Sequence, residues 1–164
     1  MALQAAIILS DTGPVAKRLV GFEHRPQQLE MAAAIDACLD RKGRLLVEAG
    51  TGVGKSFAYL VPAIRRVVDH QERVIICTNT IALQEQLVEK DIPLLNAVIP
   101  EEFSTVLVKG RGNYVSLRRL KLASARQDRL FGGEEDRHAL QGLEDWAYET
   151  RDGTTTSLPV MPAH

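Results

Sequence analysis

The sequence predicts an α/β fold: a parallel sheet with flanking helices, followed by a smaller helical region. Two observations carry this expectation. Three short runs of nearly continuous apolar character, "RLLVEA" (44–49), "RVIICT" (73–78) and "STVLV" (104–108), alternate with stretches of helical period. Buried parallel strands separated by crossover helices produce that pattern. In addition, the first run leads through the glycine-rich turn "GTGVGK" into a strongly amphipathic segment.

Taken in order, "SDTGP" (10–14) is a turn signal. From about Gln27 to Asp40 a helix is expected, with Met31, Ile35, Cys38 and Leu39 on one face and Gly43 closing it. After the glycine-rich turn, Phe57, Leu60, Val61, Ile64, Val67 and Val68 recur at three-and-four spacing, which predicts a second helix. Pro62 lies inside it and removes one backbone donor, so a kink is expected there. "TIALQEQLVEK" predicts a third helix, capped by Thr80 and ended by Pro93. Beyond Gly112, Asn113 is placed to cap a helix reaching about Leu130, and "RDGTTTSLPVMPAH" is expected as loop. The boundary between the α/β part and the helical part is set near Val108.

Composition narrows the class of protein without naming a function. The 164 residues suffice for about one domain with a real core. A net charge of −1 gives no overall pull toward nucleic acid, so any such pull has to be local. It is indeed patchy. Lys109 to Arg129 holds seven basic residues against one acid, and Glu134 to Asp152 holds seven acids against two arginines. Arg119, Arg126 and Arg129 fall at helical spacing, either as a phosphate-facing stripe or as a solvated face paired with the acidic segment. Two cysteines, Cys38 and Cys77, make no disulfide framework and no metal-spaced cluster, which favours a reducing compartment. "MALQAAIIL" is too short to span a bilayer and lacks the basic start of a signal peptide. The expected location is the cytoplasm, with no membrane partner.

The sharpest motif is "AGTGVGKS", Ala49 to Ser56, which has P-loop spacing with Ala at the first position. Glycines let the backbone curl so that successive amides point at phosphate oxygens, and the following helix adds the positive end of its dipole. The nucleotide-binding set is therefore Ala49, Gly50, Thr51, Gly52, Val53, Gly54, Lys55 and Ser56. Lys55 would reach the β- and γ-phosphates and Ser56 would ligate magnesium, which makes these two the catalytic candidates and ATP with Mg2+ the expected cofactors.

The surroundings resemble a family. "FEHRPQQLEMA" (22–32) looks like the adenine-reading Q motif of helicases related to XPD and DinG, in superfamily 2. "EAGTGVGKSFAYLVPAI" resembles the motif I of that family, proline included, and "CTNTIALQEQL" (77–87) resembles its motif Ia. By this resemblance Gln28 would read the adenine edge with help from Arg25. Thr78, Thr80 and Gln84 would touch the backbone of single-stranded DNA, positioning it without reading sequence. The resemblance implies a RecA-like motor domain over 1–108, with Q motif, Walker A and motif Ia, and the start of an inserted, iron–sulfur-domain-like region over 109–164. Lys109, Arg111 and Arg119 are its DNA-binding candidates. The implied activity is ATP-dependent translocation along single-stranded or forked DNA, 5′-to-3′ as in the DinG type. Two other classes stand beside it: another P-loop ATPase or nucleotide kinase, and a non-catalytic nucleotide- or DNA-binding module.

Two departures from the family pattern matter. No "DE-H" motif II run occurs; "GEEDRH" has the right residue types but lies in a charged region of helical pattern rather than at the end of a buried strand. The chain is accordingly expected to be the N-terminal part of a longer protein, inactive as a hydrolase by itself. The second departure is in "KGRGNYVSLRRL", where Ser116 occupies the position of the first cluster-binding cysteine. A serine hydroxyl is a poor ligand for soft iron. Absence of the cluster is the favoured expectation, with apolar packing in its place; a serine-ligated or three-cysteine cluster and an engineered serine are the alternatives.

Overall fold

The computed structural model describes residues 4–158, and the chain separates into two compact units, Met1–Leu107 and Val108–His164. In the first unit α1 (Ala5–Ile8) and α2 (Pro14–Arg18) precede α3 (Pro26–Asp40) and α4 (Lys55–His70). Pro26 suits the first turn of α3, where its missing N–H would have no intrahelical acceptor. The α3 helix ends in a double turn: the Lys42 amide donates to Leu39 O (3.1 Å) and the Gly43 amide to Cys38 O (2.9 Å). The residue in the left-handed conformation is Lys42, at φ 53°, rather than the glycine that follows it.

The apolar face expected of α4 is real. Leu60, Val61 and Ile64 are buried, and the helix runs unbroken through Pro62. Its contact with α3 is made close by small side chains, since Ala32 and Ala58 are both wholly buried. Leu9, Val15, Leu87, Leu95 and Ile99 complete this core. Two arginines lock the same helix pair. Arg65 bonds Asp36 (2.6 Å) and Asp40 (2.5 Å), while Arg66 bonds Asp40 (3.1 Å) and Glu72 (2.5 and 2.9 Å).

The third helix differs from expectation in its ending. Thr80 caps α5 (Ile81–Gln86), its hydroxyl accepting from the Leu83 amide at 3.3 Å. Pro93 does not stop the helix. A π turn, Leu87–Asp91, follows α5 and leads into α6 (Ile92–Val98), whose first turn holds the proline. There its missing donor is tolerated.

The expected sheet is not present among the described residues. None of 44–49, 73–78 or 104–108 is paired as strand, and most apolar side chains of these runs are exposed. Leu46 is 98% exposed, Ile75 86% and Val106 85%. Parallel strands obtain their backbone hydrogen bonds only from neighbouring strands. Here the recorded burial is carried by helix-on-helix packing instead, and the apolar runs lie outside it.

The second unit contains a 3-10 turn (Arg111–Asn113), α7 (Leu117–Ser124), α8 (Gln127–Leu130), α9 (Glu134–Glu149) and a 3-10 turn (Thr155–Ser157). "GEEDRH" lies at the start of α9. Asn113 is not the helix cap; its side-chain amide donates to Gly110 O (3.2 Å), and Ser116 caps α7 by accepting from the Arg119 amide (3.4 Å). The single helix expected to reach Leu130 is broken after Ser124, with Arg126 outside helical geometry at φ −121°, ψ 16°. The α7 and α9 helices pack together, with Leu120 and Leu140 buried. The expected C-terminal loop is partly ordered: Thr154 bridges to Tyr114, and the Val115 amide donates to Gly153 O (3.0 Å). Residues 159–164 of that segment lie outside the described residues.

Candidate nucleotide site

The site grows from the junction between residues 49–54 and α4. Gly52 and Gly54 both sit at φ 81°, the left-handed region that a side chain disfavours. These two residues turn the loop so that α4 starts at Lys55 with no side-chain cap on its first amides. Such a start offers uncapped N–H groups and the positive helix end to an anion. The Lys55 ammonium is folded over the loop, donating to Ala49 O (2.9 Å) and Gly50 O (2.7 Å). Gly50, Thr51 and Gly52 are exposed, and Val53 is half-buried.

Gln28 is placed differently from a free adenine reader. It is 3% exposed, and its side-chain amide donates to Gly54 O at 2.9 Å. A Cβ at Gly54 would displace that amide from its carbonyl, and the φ of 81° favours glycine there. Arg25 is half-buried and pairs with Glu23 at 2.8 Å. The structure thus brings Gln28 to the phosphate loop and holds Arg25 in a local ion pair.

Of the candidate DNA contacts in the first unit, Thr78 donates to Thr80 O (3.3 Å), Thr80 is the helix cap, and Gln84 is half-buried on α5. In the second unit Lys109 departs from expectation. It is 8% exposed, its ammonium donates to Thr156 Oγ1 (2.9 Å), and its amide donates to the Tyr114 hydroxyl (2.8 Å). A lysine buried in this way takes part in the packing of this unit. Arg111 and Arg119 are exposed. The expected stripe of Arg119, Arg126 and Arg129 is interrupted by the helix break. The recorded ion pair of this region joins Arg137 to Asp128 (3.5 Å), the reverse of the charge pairing anticipated between the two segments.

The residue at the cluster position, Ser116, is occupied as a helix cap, and both cysteines belong to the first unit. Among the described residues no group of histidine, cysteine, aspartate or glutamate is arranged to hold a metal. Ser116 spends its hydroxyl as a helix cap, and a hydroxyl is a poor ligand for soft iron. Hydrogen bonds close this segment: Thr154 donates its amide and hydroxyl to Asp152 (both 3.0 Å), which holds that carboxyl below its ordinary value, and the Trp146 indole donates to Ser157 O (3.2 Å).

The profile of the DEAD/DEAH box helicases matches residues 26–129, well over half of the chain. The chain belongs to this family. The match takes in α3 with Gln28, the phosphate loop and the Thr80-capped helix, and DEAD/DEAH box helicases have a P-loop, RecA-like fold. The chain is 38% identical to the ATP-dependent DNA helicase YoaA of Escherichia coli over 144 residues, which are 86% of this chain and 21% of that protein. It is 35% identical to the protein of the same name from Haemophilus influenzae, covering 97% of this chain and 25% of that one. The ATP-dependent helicase DinG of Mycobacterium tuberculosis is 44% identical over 111 residues, 65% of this chain and 17% of that protein. The chain thus spans a quarter or less of these relatives. Among its described residues no helix is long and apolar enough to cross a membrane.

One feature of the site escaped sequence reasoning: the Gln28–Gly54 bond is a contact between distant segments, with no local signal.

Proposed function

We propose that this chain is the ATP-binding part of a cytoplasmic DinG-type DNA helicase, moving 5′-to-3′ on single-stranded or forked DNA. The observation that carries the reading is the phosphate loop itself: Lys55 poised over two loop carbonyls at the uncapped start of α4, braced by Gln28. The names of the relatives, ATP-dependent helicases, support the nucleotide and the activity.

In this reading the loop amides and the start of α4 bind the triphosphate. Lys55 exchanges its two carbonyl partners for phosphate oxygens, and Ser56 contributes to holding magnesium, which when bound neutralises charge developing on the phosphates. Adenine recognition by Gln28 would require its amide to leave Gly54 O or to use its carbonyl, and Arg25 would have to release Glu23. Residues Thr78, Thr80, Gln84, Arg111 and Arg119 are the remaining candidates for DNA. The three exposed apolar runs, 44–49, 73–78 and 104–108, are proposed as strands of the RecA-like sheet, and 109–164 as the start of an inserted region without an iron–sulfur cluster.

The test is nucleotide binding and hydrolysis with and without single-stranded DNA. The complete protein is expected to hydrolyse ATP faster when single-stranded DNA is added, and Lys55→Ala to abolish this. The 164-residue chain alone is expected to show no appreciable turnover, because no "DE-H" run is present to orient water. A DNA-independent rate in the complete protein would favour the other P-loop ATPase classes.

A further inference from the structure

The second unit has a recess of its own, between the residues that lead into α7 and the last turn of α9. Its volume is about 280 Å³, and Tyr114, Leu117, Trp146, Thr150, Asp152 and Gly153 line it. Backbone ties hold its walls together: Tyr114 bridges to Thr154, and the Val115 amide donates to Gly153 O at 3.0 Å. Pockets for drug-sized ligands run to roughly 300–1,000 Å³, so this one suits a single flat ring system.

Both aromatic side chains are fixed by their polar edges. The Trp146 indole N–H donates to Ser157 O (3.2 Å), and the Tyr114 hydroxyl accepts from the Lys109 amide (2.8 Å). Each residue is half-buried, which leaves part of its surface open. A ring already held in place loses little freedom when a ligand stacks on it. Nearby charges then sort the ligand. The Asp152 carboxylate in the lining repels a phosphate, so the recess itself favours an uncharged ring. Arg111 lies in the turn that leads to Tyr114, and Arg118 and Arg119 directly follow Leu117; all three are exposed. An uncharged flat ring carried on a phosphate backbone meets both conditions.

We propose that this recess stacks one unpaired base of a DNA strand on Trp146 and Tyr114, while Arg111, Arg118 and Arg119 hold the flanking phosphates. Stacking tolerates any sequence, because every base has a flat face to offer. In a duplex those faces are already covered by neighbouring pairs, so the recess favours single strands. The inference deepens the reading of the chain as part of a single-stranded-DNA translocase, and rests on it.

The experiment measures binding of the complete protein to two labelled strands of equal length by fluorescence anisotropy. One strand carries thymine at every position; the other has the same sugar–phosphate backbone without bases. Trp146→Leu keeps apolar bulk and removes the flat ring. It is expected to weaken binding of the thymine strand about five- to 100-fold, the worth of one stacked base, and to leave the abasic strand unchanged. Trp146→Phe restores a ring and is expected to recover most of the loss. Arg118→Ala is expected to weaken both strands alike and to lower the salt slope by about 0.7. Equal loss on both strands in Trp146→Leu, as a folding defect gives, overturns the proposal. So does no loss on either, or a failure of Trp146→Phe to recover binding. If the unaltered protein binds neither strand, the helicase reading itself falls; if it binds and Trp146→Leu binds as well, only the recess is lost.

Discussion

Gln28 and Gly54 constrain one another, and the pair shows what a single residue contributes to this site. The buried amide holds the last loop carbonyl, and the glycine leaves room for the amide. Gly54→Ala places a methyl group on that amide and forces alanine into a left-handed backbone, at a cost of about 1–2 kcal/mol for the conformation alone. The expected outcome is a lower melting temperature and at least a roughly tenfold loss of nucleotide affinity, by analogy with other displaced phosphate donors. Adding Gln28→Ala is expected to recover part of the melting temperature, because it removes the collision but not the strain. A full recovery would show that backbone conformation matters little. At this scale the sequence was informative where chemistry is local. Thr80 was legible as a cap, because capping needs only the neighbouring amides. Ser116 is the cap that Asn113 was expected to be; both residue types suit the role, and the difference depends on where the 3-10 turn ends. The Gln28 bond to Gly54 joins positions 26 residues apart and left no trace in either segment.

Among the elements, α3 and α4 form the rigid frame that sets Gln28 against the loop, and ion pairs fasten it. The side-chain bonds from Arg65 to Asp40 and from Arg66 to Glu72 lower both carboxyl pKa values. A carboxyl with a lowered folded-state pKa stabilises the fold fully above its unfolded value, near pH 4. That contribution is lost as pH falls through the folded-state value. The melting temperature is therefore expected to be insensitive to these groups at pH 6–8 and to fall below about pH 4. Asp40→Asn should flatten part of that acid limb; an unaltered limb would place the acid sensitivity elsewhere. Helices such as α4 were legible because their period is carried within the segment. The break after Ser124 and the π turn were not. Both continue helix-forming sequence; at the π turn the change of register accompanies packing, seen in buried Leu87, Asp91 and Ile92, whereas residues 125–130 beyond Ser124 are exposed.

For the whole chain, the three apolar runs are the largest difference between pattern and structure. A helix satisfies its own backbone, whereas a parallel strand is specified only together with its neighbours. The sequence could mark these runs as apolar without supplying their partners. Exposed side chains such as Leu46, Ile75, Val106 and Val108 make the isolated chain prone to association. Light scattering is expected to show concentration-dependent self-association of the 164-residue chain, reduced in a Leu46→Lys, Ile75→Lys variant. Equal scattering by both would move the sticky surface to another place. The second unit follows a different logic. Its two ends are joined by Lys109 to Thr156, and its C-terminal part is closed on itself by Asp152 to Thr154 and Trp146 to Ser157. The thiols of this chain lie elsewhere, at Cys38 and Cys77. Among the described residues this closure is made by hydroxyls and amides rather than thiols, so a thiol-specific alkylating reagent is expected to leave it intact.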